Sequence, residues 1–244
     1  MNFTLDIGNT LIKWATFEGS NILRTGLLSQ AQLSEGKLQE LLMACAPDHV
    51  LAAVSGSLPH ALCHIPTLSP ATALPIKVNY NTPQTLGADR VAAAVGAFSL
   101  LPPHTPALII DAGTCITVDY LSADGTYQGG AILPGLSIQF RALHDHTAAL
   151  PLVTLDQCTD WDGRTIGKDT LQSLMAGVIT STRFALEQFV LRQRQLDPLL
   201  QVFVTGGDAE RVKPSFSQIV PHLLFFGLNA ILNYNESSFE PLNI

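Results

Sequence analysis

The feature that most constrains the fold is a repeat of the pattern Asp-x-Gly-polar, which occurs once in each half of the chain. The first copy is Asp6-Ile7-Gly8-Asn9-Thr10, and the second is Asp111-Ala112-Gly113-Thr114. Apolar segments flank both copies, so each predicts two strands joined by a tight turn. Each copy continues through a second turn, at Gly19 or Gly125, into a third extended segment. The repeat therefore predicts two copies of a three-strand meander.

The first turn has the chemistry of an anion site. Gly8 and Asn9 tolerate positive φ, and a turn of this kind presents backbone N–H groups to an anion. Asp6 adds a carboxylate beside that anion, and the two repel unless a cation lies between them. An ordinary hairpin explains the first copy alone more simply. The second copy favours two metal–phosphate turns around one polyphosphate, in a cleft between duplicated halves.

The segments after the first meander predict the layer arrangement. The order β-β-β-α-β-α-β indicates a mixed sheet covered by helices. The proline-rich stretch 102–106 is the best linker candidate. We therefore expect two domains, 1–105 and 106–244, each within the usual size range.

Composition excludes several classes of protein. Hydrophobic residues make up 47% of the chain, which disfavours disorder, and a net charge of −7 with scattered Lys and Arg disfavours nucleic-acid binding. No apolar run reaches the roughly 18 residues of a membrane helix. The four cysteines lack CxxC spacing and resemble reduced thiols, so we expect a cytoplasmic location without membrane association.

Further motifs leave two interpretations open. Asp89 precedes a strongly apolar helix, where it is either a helix cap or a carboxylate held at the cleft with Arg90 as an anion ligand. The pair Gly129-Gly130 either permits close approach of a ligand or ends a strand. The pair Gly206-Gly207 opens a helix after a buried strand, as a nucleotide-contacting turn would. No Walker lysine motif occurs, which disfavours a P-loop enzyme.

Six motifs, taken together and in order, resemble type III pantothenate kinases over nearly the whole chain. They are Asp6-Ile7-Gly8-Asn9-Thr10, Gly87-Ala88-Asp89-Arg90, Asp111-Ala112-Gly113-Thr114, Gly129-Gly130-x-Ile132-x-Pro134-Gly135-Leu136, Thr147-Ala148-x-Leu150-Pro151 and Thr205-Gly206-Gly207-Asp208. Each motif is weak alone, whereas the ordered set is highly specific.

The resemblance implies an α/β fold of two ribonuclease H-like, actin-like ATPase domains, each a mixed sheet flanked by helices, with a cleft between them. It implies phosphorylation of pantothenate by ATP to 4'-phosphopantothenate, the first step of coenzyme A biosynthesis. It also implies Mg²⁺, a monovalent cation (K⁺ or NH4⁺) and a homodimer with substrate sites near the interface.

The resemblance also assigns site residues. The implied proton acceptor is Asp89, and the monovalent-cation ligand is Asp111. Asp6 would organise Mg²⁺, without a necessary direct contact. The implied ATP-binding residues are Asp6, Ile7, Gly8, Asn9, Thr10, Leu11, Ile12, Lys13, Thr114, Gly206 and Gly207. The implied substrate-binding residues are Tyr80, Gly87, Ala88, Asp89, Arg90 and Thr170, with Thr170 supplied across the dimer.

Two alternatives remain. The first is an actin-like kinase for another small hydroxyl or carboxylate substrate, which a substrate panel would distinguish. The second is a nucleotide-binding regulator of the same fold, which would bind ATP without turnover. The presence of Asp6, Asp89 and Asp111 argues against the second.

Overall fold

The computed structural model describes residues 1–8, 11–29, 32, 36–56 and 62–236. Contacts divide the chain into two parts, which we call the N-unit and the C-unit. The N-unit comprises Met1–Pro103, Gly125–Tyr127 and His222–Ile244, and the C-unit comprises His104–Asp124 and Gln128–Pro221. The first division falls close to the expected boundary at 105/106, but the last helix groups with the N-unit. The two-domain division at 105/106 stays a prediction.

Strands and helices follow one another along the chain as an α/β fold. The strands are β1 (Asn2–Ile7), β2 (Leu11–Glu18), β3 (Asn21–Ser29), β4 (His49–Val54), β5 (Lys77–Val78), β6 (Ala107–Ala112), β7 (Cys115–Leu121), β8 (Thr126–Pro134), β9 (Gln201–Thr205) and β10 (Gln218–Ile219). The helices are α1 (Lys37–Cys45), α2 (Ala88–Leu100), α3 (Leu136–Asp145), α4 (Thr170–Met175), α5 (Ser181–Leu196), α6 (Ala209–Val212) and α7 (Leu223–Tyr234).

The N-unit contains a mixed sheet with the strand order β3-β2-β1-β4. The central strand β1 is antiparallel to β2 and parallel to β4. Side chains alternate along β1, so Phe3, Leu5 and Ile7 point to one core, which α1 completes with Leu38 and Leu42. The opposite face of β1 is covered by α7.

The helices α2 and α7 pack with their backbones in close contact. A Cβ atom built on Gly227 would lie 1.7 Å from the carbonyl oxygen of Ala92, and one on Gly96 would lie 2.2 Å from that of Leu223. Only residues without a side chain allow this approach. The α2–α7 pair therefore depends on these two glycines, and any larger residue would force the helices apart.

The C-unit repeats the arrangement of the first sheet. Its strand order is β10-β9-β6-β7-β8, and the central strand β6 is antiparallel to β7 and parallel to β9. The first residues of β8, Thr126 and Tyr127, group with the N-unit, where they pair with β5. One face of β6, with Leu108 and Ile110, supplies the C-unit core. The predicted α/β class with mixed sheets and a duplicated meander is confirmed.

Two helices have distinctive ends. The helix α3 ends at Asp145, and the Thr147 hydroxyl donates to the Leu143 carbonyl at 2.7 Å just beyond it. The helix α1 follows Gly36, which has a left-handed conformation (φ 75°). Within the described ranges, each helix is too short or too polar to cross a bilayer.

Candidate active site

The first Asp-x-Gly turn places a carboxylate beside an ammonium group. Asp6 is the next-to-last residue of β1, and its cross-strand partners are Lys13 on β2 and Ala53 on β4. Directly paired residues point to the same side of a sheet, so Asp6 and Lys13 meet. Their atoms Oδ2 and Nζ are 3.8 Å apart, with the Asp6 side chain 18% exposed and that of Lys13 48% exposed.

Burial dominates the electrostatics of Asp6. Removal of its carboxylate from water raises its pKa above the ordinary value, Lys13 lowers it, and the negative charge of Asp89 raises it further. The two carboxylates therefore lie close enough to repel each other. A divalent cation bound at Asp6 would offset both the repulsion and the cost of burial.

The rest of the first turn is only partly available to a ligand through side chains. The N–H of Gly8 donates to the carbonyl of Leu11 at 3.2 Å, so it closes the turn instead of facing an anion. The side chains of Ile7 and Ile12 are fully buried in the N-unit core. Any phosphate contact by these two residues would come from the backbone. Asn9 and Thr10, also expected at this site, lie outside the described residues.

Asp89 stands in the first turn of α2 and is not the residue that caps it. The cap position is Gly87, and the helix begins at Ala88. The Asp89 carboxylate turns back toward the helix start and accepts from the N–H of Arg90 at 2.9 Å. A Cβ atom on Gly87 would lie 2.4 Å from Asp89 Oδ1, so glycine at 87 makes room for this carboxylate.

Arg90, the residue after Asp89, forms a cation–π pair with Tyr80. The Arg90 guanidinium lies 6.0 Å from the centroid of the Tyr80 ring, and Arg90 is 7% exposed. The Tyr80 ring packs at 6.2 Å against that of Tyr127, which is fully buried. Sequence reasoning missed Tyr127, because nothing in its local pattern distinguishes it from an ordinary strand residue.

The second Asp-x-Gly turn places its carboxylate among oxygen atoms. Asp111 is the next-to-last residue of β6, and its cross-strand partners are Thr117 on β7 and Thr205 on β9. These three side chains share the sheet face opposite the Leu108 and Ile110 core face. A carboxylate and hydroxyls are hard oxygen donors, which suit a cation bound without nitrogen or sulfur ligands.

Backbone packs tightly against the second turn. A Cβ atom on Gly135 would lie 2.2 Å from the carbonyl oxygen of Thr114, and one on Gly130 would lie 1.9 Å from that of Val118. These two glycines therefore let protein segments approach each other. Thr114 itself is exposed at the turn.

The Gly-Gly turn after β9 lies directly against Asp111. Gly206 has φ +93°, and a Cβ there would lie 2.5 Å from Asp111 Oδ1 and 2.4 Å from the carbonyl oxygen of Ala112. Gly207 is exposed with open space where a Cβ would be. The next residue, Asp208, donates its N–H to that same Ala112 carbonyl at 3.0 Å. The turn is thus fixed to the end of β6.

Thr170 lies apart in sequence from the other expected substrate residues. It is the exposed first residue of α4, which Asp169 caps by accepting from the N–H of Gln172 at 2.8 Å. A π-helical turn, Ala176–Thr180, joins α4 to α5. Such turns are rare and occur often at functional sites.

Each unit therefore gathers its own expected residues. The N-unit brings together Asp6, Lys13, Asp89 and, by packing, Tyr80 with Arg90. The C-unit brings Asp111 against the Gly206 turn.

Solved structures identify the fold class of the chain. A ROK family glucokinase from Streptomyces griseus, solved with glucose and AMPPNP, aligns with a TM-score of 0.51 and 13% identity over 97% of this chain and 99% of that one. A Campylobacter jejuni protein described as a Baf family transcriptional activator aligns with a TM-score of 0.64 and 20% identity, over 96% and 99%. At these identities the likeness shows the fold alone, which is that of actin-like ATPases and sugar kinases.

Sequence relatives specify the family within that class. A sequence model of type III pantothenate kinase matches residues 2–192. The type III pantothenate kinase of Phocaeicola vulgatus is 36% identical, with 97% of this chain and 99% of the relative covered. That of Cytophaga hutchinsonii is 33% identical, with 96% and 100% covered. The chain belongs to the type III pantothenate kinase family.

Proposed function

We propose that this chain phosphorylates pantothenate with ATP, giving 4'-phosphopantothenate and ADP, as the first step of coenzyme A biosynthesis. Family membership supports the substrate and reaction. The observation that carries the chemistry is the close approach of Asp6, Lys13 and Asp89, two carboxylates and an ammonium at the end of one sheet. Phosphoryl transfer depends mainly on positioning and charge stabilisation, which such a set can supply.

Asp89 accepts the proton of the pantothenate hydroxyl. Its carboxylate is held toward the helix start by the Arg90 N–H, which donates to Oδ1 at 2.9 Å. A loose transition state needs little proton removal before the hydroxyl attacks, so a carboxylate can serve as the proton acceptor. Gly87, Ala88, Arg90 and Tyr80 hold the substrate beside it.

The residues fit Mg²⁺ bound mainly through ATP. Among the described residues, no group of three or more His, Cys, Asp or Glu could hold a metal alone. Mg²⁺ commonly binds one or two carboxylates together with substrate phosphates, and Asp6 offers one such carboxylate. When bound, the ion neutralises charge on the transferring phosphate. Lys13 and the rest of the first turn orient the phosphates in the N-unit, and Gly8 holds that turn closed.

The oxygen-rich surroundings of Asp111 fit a monovalent cation, K⁺ or NH4⁺. Its neighbours across the sheet are Thr117 and Thr205, and carbonyl oxygens of the adjoining turns lie close by. Thr114, Gly206 and Gly207 contact ATP on this side. Gly207 has room for a nucleotide at its Cα, because no other atom lies within 4 Å of a Cβ placed there.

The chain acts as a homodimer in which Thr170 contacts the substrate of the partner subunit. A groove of about 410 Å³ runs past the π-helical turn, and exposed apolar side chains line it, with Ile166 76% and Phe184 56% exposed. Apolar side chains in a groove are suited to a self-complementary interface. The enzyme works in the cytoplasm, where its four free cysteines stay reduced.

The test is ADP release by the purified chain with ATP, Mg²⁺ and K⁺, with and without pantothenate. We expect release that depends on pantothenate and falls sharply when Na⁺ replaces K⁺. A panel of sugars and carboxylates serves as the control for acceptor choice. Release with another acceptor but not with pantothenate would move the assignment to that substrate, and ATP binding without any release would favour a regulator.

A further inference from the structure

A second cavity of the C-unit shares no residue with the sites assigned above. It has a volume of about 280 Å³, and Trp161, Arg183 and Arg211 are among the residues that line it. These three come from a loop, from α5 and from α6, so their neighbourhood leaves no motif in the sequence. The cavity is large enough for a small polar ligand, and its chemistry is set by two guanidinium groups.

Both guanidinium groups have an unsatisfied buried donor. The Nε atoms of Arg183 and Arg211 are buried, and within the described part of the chain neither has a hydrogen-bond acceptor. A buried N–H of a charged group without an acceptor is costly, so such atoms mark a place where an acceptor binds. Two arginines of this kind line one cavity, which points to a ligand with several acceptor oxygens.

The charges around the cavity do not cancel the two arginines. Arg211 Nη1 contacts Asp208 Oδ1 at 3.2 Å, whereas Arg183 forms no ion pair with any described residue. The carboxylate of Glu210 is paired with Lys213 at 2.9 Å. Burial raises the pKa of the Cys158 thiol, which therefore stays neutral at pH 7. The cavity keeps a net positive charge.

Trp161 forms a fixed aromatic wall. Its Nε1–H donates to the Thr180 hydroxyl at 3.1 Å, and that hydroxyl donates to the Arg164 carbonyl at 3.1 Å. Arg164 stacks on the Trp161 ring at 5.7 Å, but its charge is met by Asp162 at 2.7 Å. The wall is thus held in place and uncharged, and it adjoins the two arginines.

We propose that this cavity binds a phosphate group, either as inorganic phosphate or as a small phosphate monoester. The planar guanidinium fork matches phosphate oxygens in pairs. A phosphate monoester carries about −1.5 to −2 charges at pH 7 and three acceptor oxygens, which two arginines can satisfy together. A carboxylate has two acceptor oxygens and a single charge, so it forms fewer charge-assisted hydrogen bonds with the two arginines than a phosphate does. The site does not depend on the proposed kinase activity.

The test uses Trp161 as a reporter. The chain has two tryptophans, so in Trp14→Phe the tryptophan fluorescence comes from Trp161 alone. This variant is titrated with inorganic phosphate, glycerol 2-phosphate and acetate at constant ionic strength and saturating ADP·Mg²⁺. We expect saturable responses to one or both phosphates and none to acetate. Tighter binding of the ester identifies an organic phosphate as the ligand, whereas equal or tighter binding of inorganic phosphate identifies the free ion.

Variants assign the response to the cavity. Arg183→Gln and Arg211→Gln should each weaken phosphate binding roughly tenfold or more, because each removes charge-assisted hydrogen bonds. Arg192→Gln, on the exposed side of the same helix as Arg183, is the matched control and should bind like the parent. Calorimetry on the unsubstituted chain guards against misfolding of the reporter variant. Any of three results would overturn the proposal. These are no saturable phosphate binding, phosphate affinity in both arginine variants equal to that of the parent, and phosphate binding that ADP·Mg²⁺ abolishes.

Discussion

The two Asp-x-Gly turns hold equivalent positions in sheets of the same strand order, yet their surroundings differ. Asp6 lies opposite Lys13, whereas Asp111 lies opposite Thr117. The first turn is one residue longer, with residues 8–11 between its paired strand ends against residues 113–115 in the second. One scaffold therefore carries an ammonium at one copy and hydroxyls at the other. Duplication fixed the backbone, and the cross-strand residues differentiate the two sites.

A further difference is the element that lies against each turn. The start of α2 brings Asp89 near the first aspartate, as the effect of Asp89 on the pKa of Asp6 indicates. The second turn has instead the backbone of the Gly206 turn against Asp111. This contrast predicts that the N-unit performs the chemistry and that the C-unit positions the nucleotide.

The largest expected effect is at Asp89, the second carboxylate near the first turn. Asp89→Asn should lower kcat roughly 100-fold or more, because the amide cannot accept the hydroxyl proton. ATP binding should be retained, since Asp89 is assigned to the acceptor substrate. Steady-state kinetics with calorimetric ATP binding check this. Exposed Asp160→Asn is the control, and normal turnover in Asp89→Asn would remove that residue from the mechanism.

At the second turn, Asp111→Asn should abolish the stimulation by K⁺ and lower activity about tenfold at saturating K⁺. The amide keeps the shape of the carboxylate but supplies no negative charge to the cation. The measurement is a K⁺ titration at fixed ATP and pantothenate. An unchanged titration would count against a cation at Asp111.

The two turns can also be made more alike. Thr117→Lys would place an ammonium opposite Asp111, as Lys13 stands opposite Asp6. We expect a several-fold smaller response to K⁺, because the lysine supplies the positive charge that K⁺ otherwise provides. Thr117→Gln, which is long but uncharged, is the matched control. A K⁺ response as large as the parent's in the lysine variant would contradict this expectation.

The adjacent residues Gly206 and Gly207 have different expected roles, Gly206 in stability and Gly207 in ATP binding. Gly206→Ala should lower the free energy of unfolding by roughly 1–3 kcal/mol, because its φ is +93° and a Cβ would meet Asp111 and Ala112. Gly207→Ala should leave the stability nearly unchanged and weaken ATP binding instead. Urea unfolding and nucleotide titration of both variants test the pair. Equal destabilisation of the two would refute the assignment.

The smallest effect concerns Asp6 in the ligand-free chain. The pKa of Asp6 in the folded chain is raised above 3.8, its ordinary value. Between these two pKa values the folded state keeps a proton that the unfolded state has lost. Stability therefore falls as pH rises from 3.8 through the folded pKa. Asp6→Asn should therefore raise the Tm at pH 7 by about 2 °C and bring no gain below pH 3.8. The lost contact with half-exposed Lys13 is a minor factor. A lower Tm of Asp6→Asn than of the parent at pH 7 would contradict this expectation.

Much of the fold could be predicted because the sequence repeats it. The alternation around Phe3, Leu5 and Ile7 identified β1, and the echo at Asp111 identified β6. The helix α7 could not be assigned to a sheet, because an apolar helix carries no signal of which surface it covers. Its grouping with the N-unit follows from the glycine contact with α2.

The site was predictable only where a motif carries it. The alternation of side chains along β1 and β2, which puts Asp6 and Lys13 on one face, can be predicted from the sequence. The short distance between Asp89 and Asp6 depends instead on how α2 packs. Tyr127 behind Tyr80, and the two arginines around Trp161, come from separate segments and gave no signal. The roles of the individual site residues stay predictions, and Asn9 and Thr10 lie outside the described residues.

The grouping of α7 with the N-unit has a consequence for how the protein is made. The ribosome releases β1–β4 and α2 first, but the helix that packs on them follows only after Pro221, when the C-unit has been synthesised. Until then the Gly96 face of α2 stays uncovered, and the nascent N-unit is incomplete. The C-unit has nearly all of its chain in one stretch. It is therefore the part that can finish folding first, against the usual N-to-C order of synthesis.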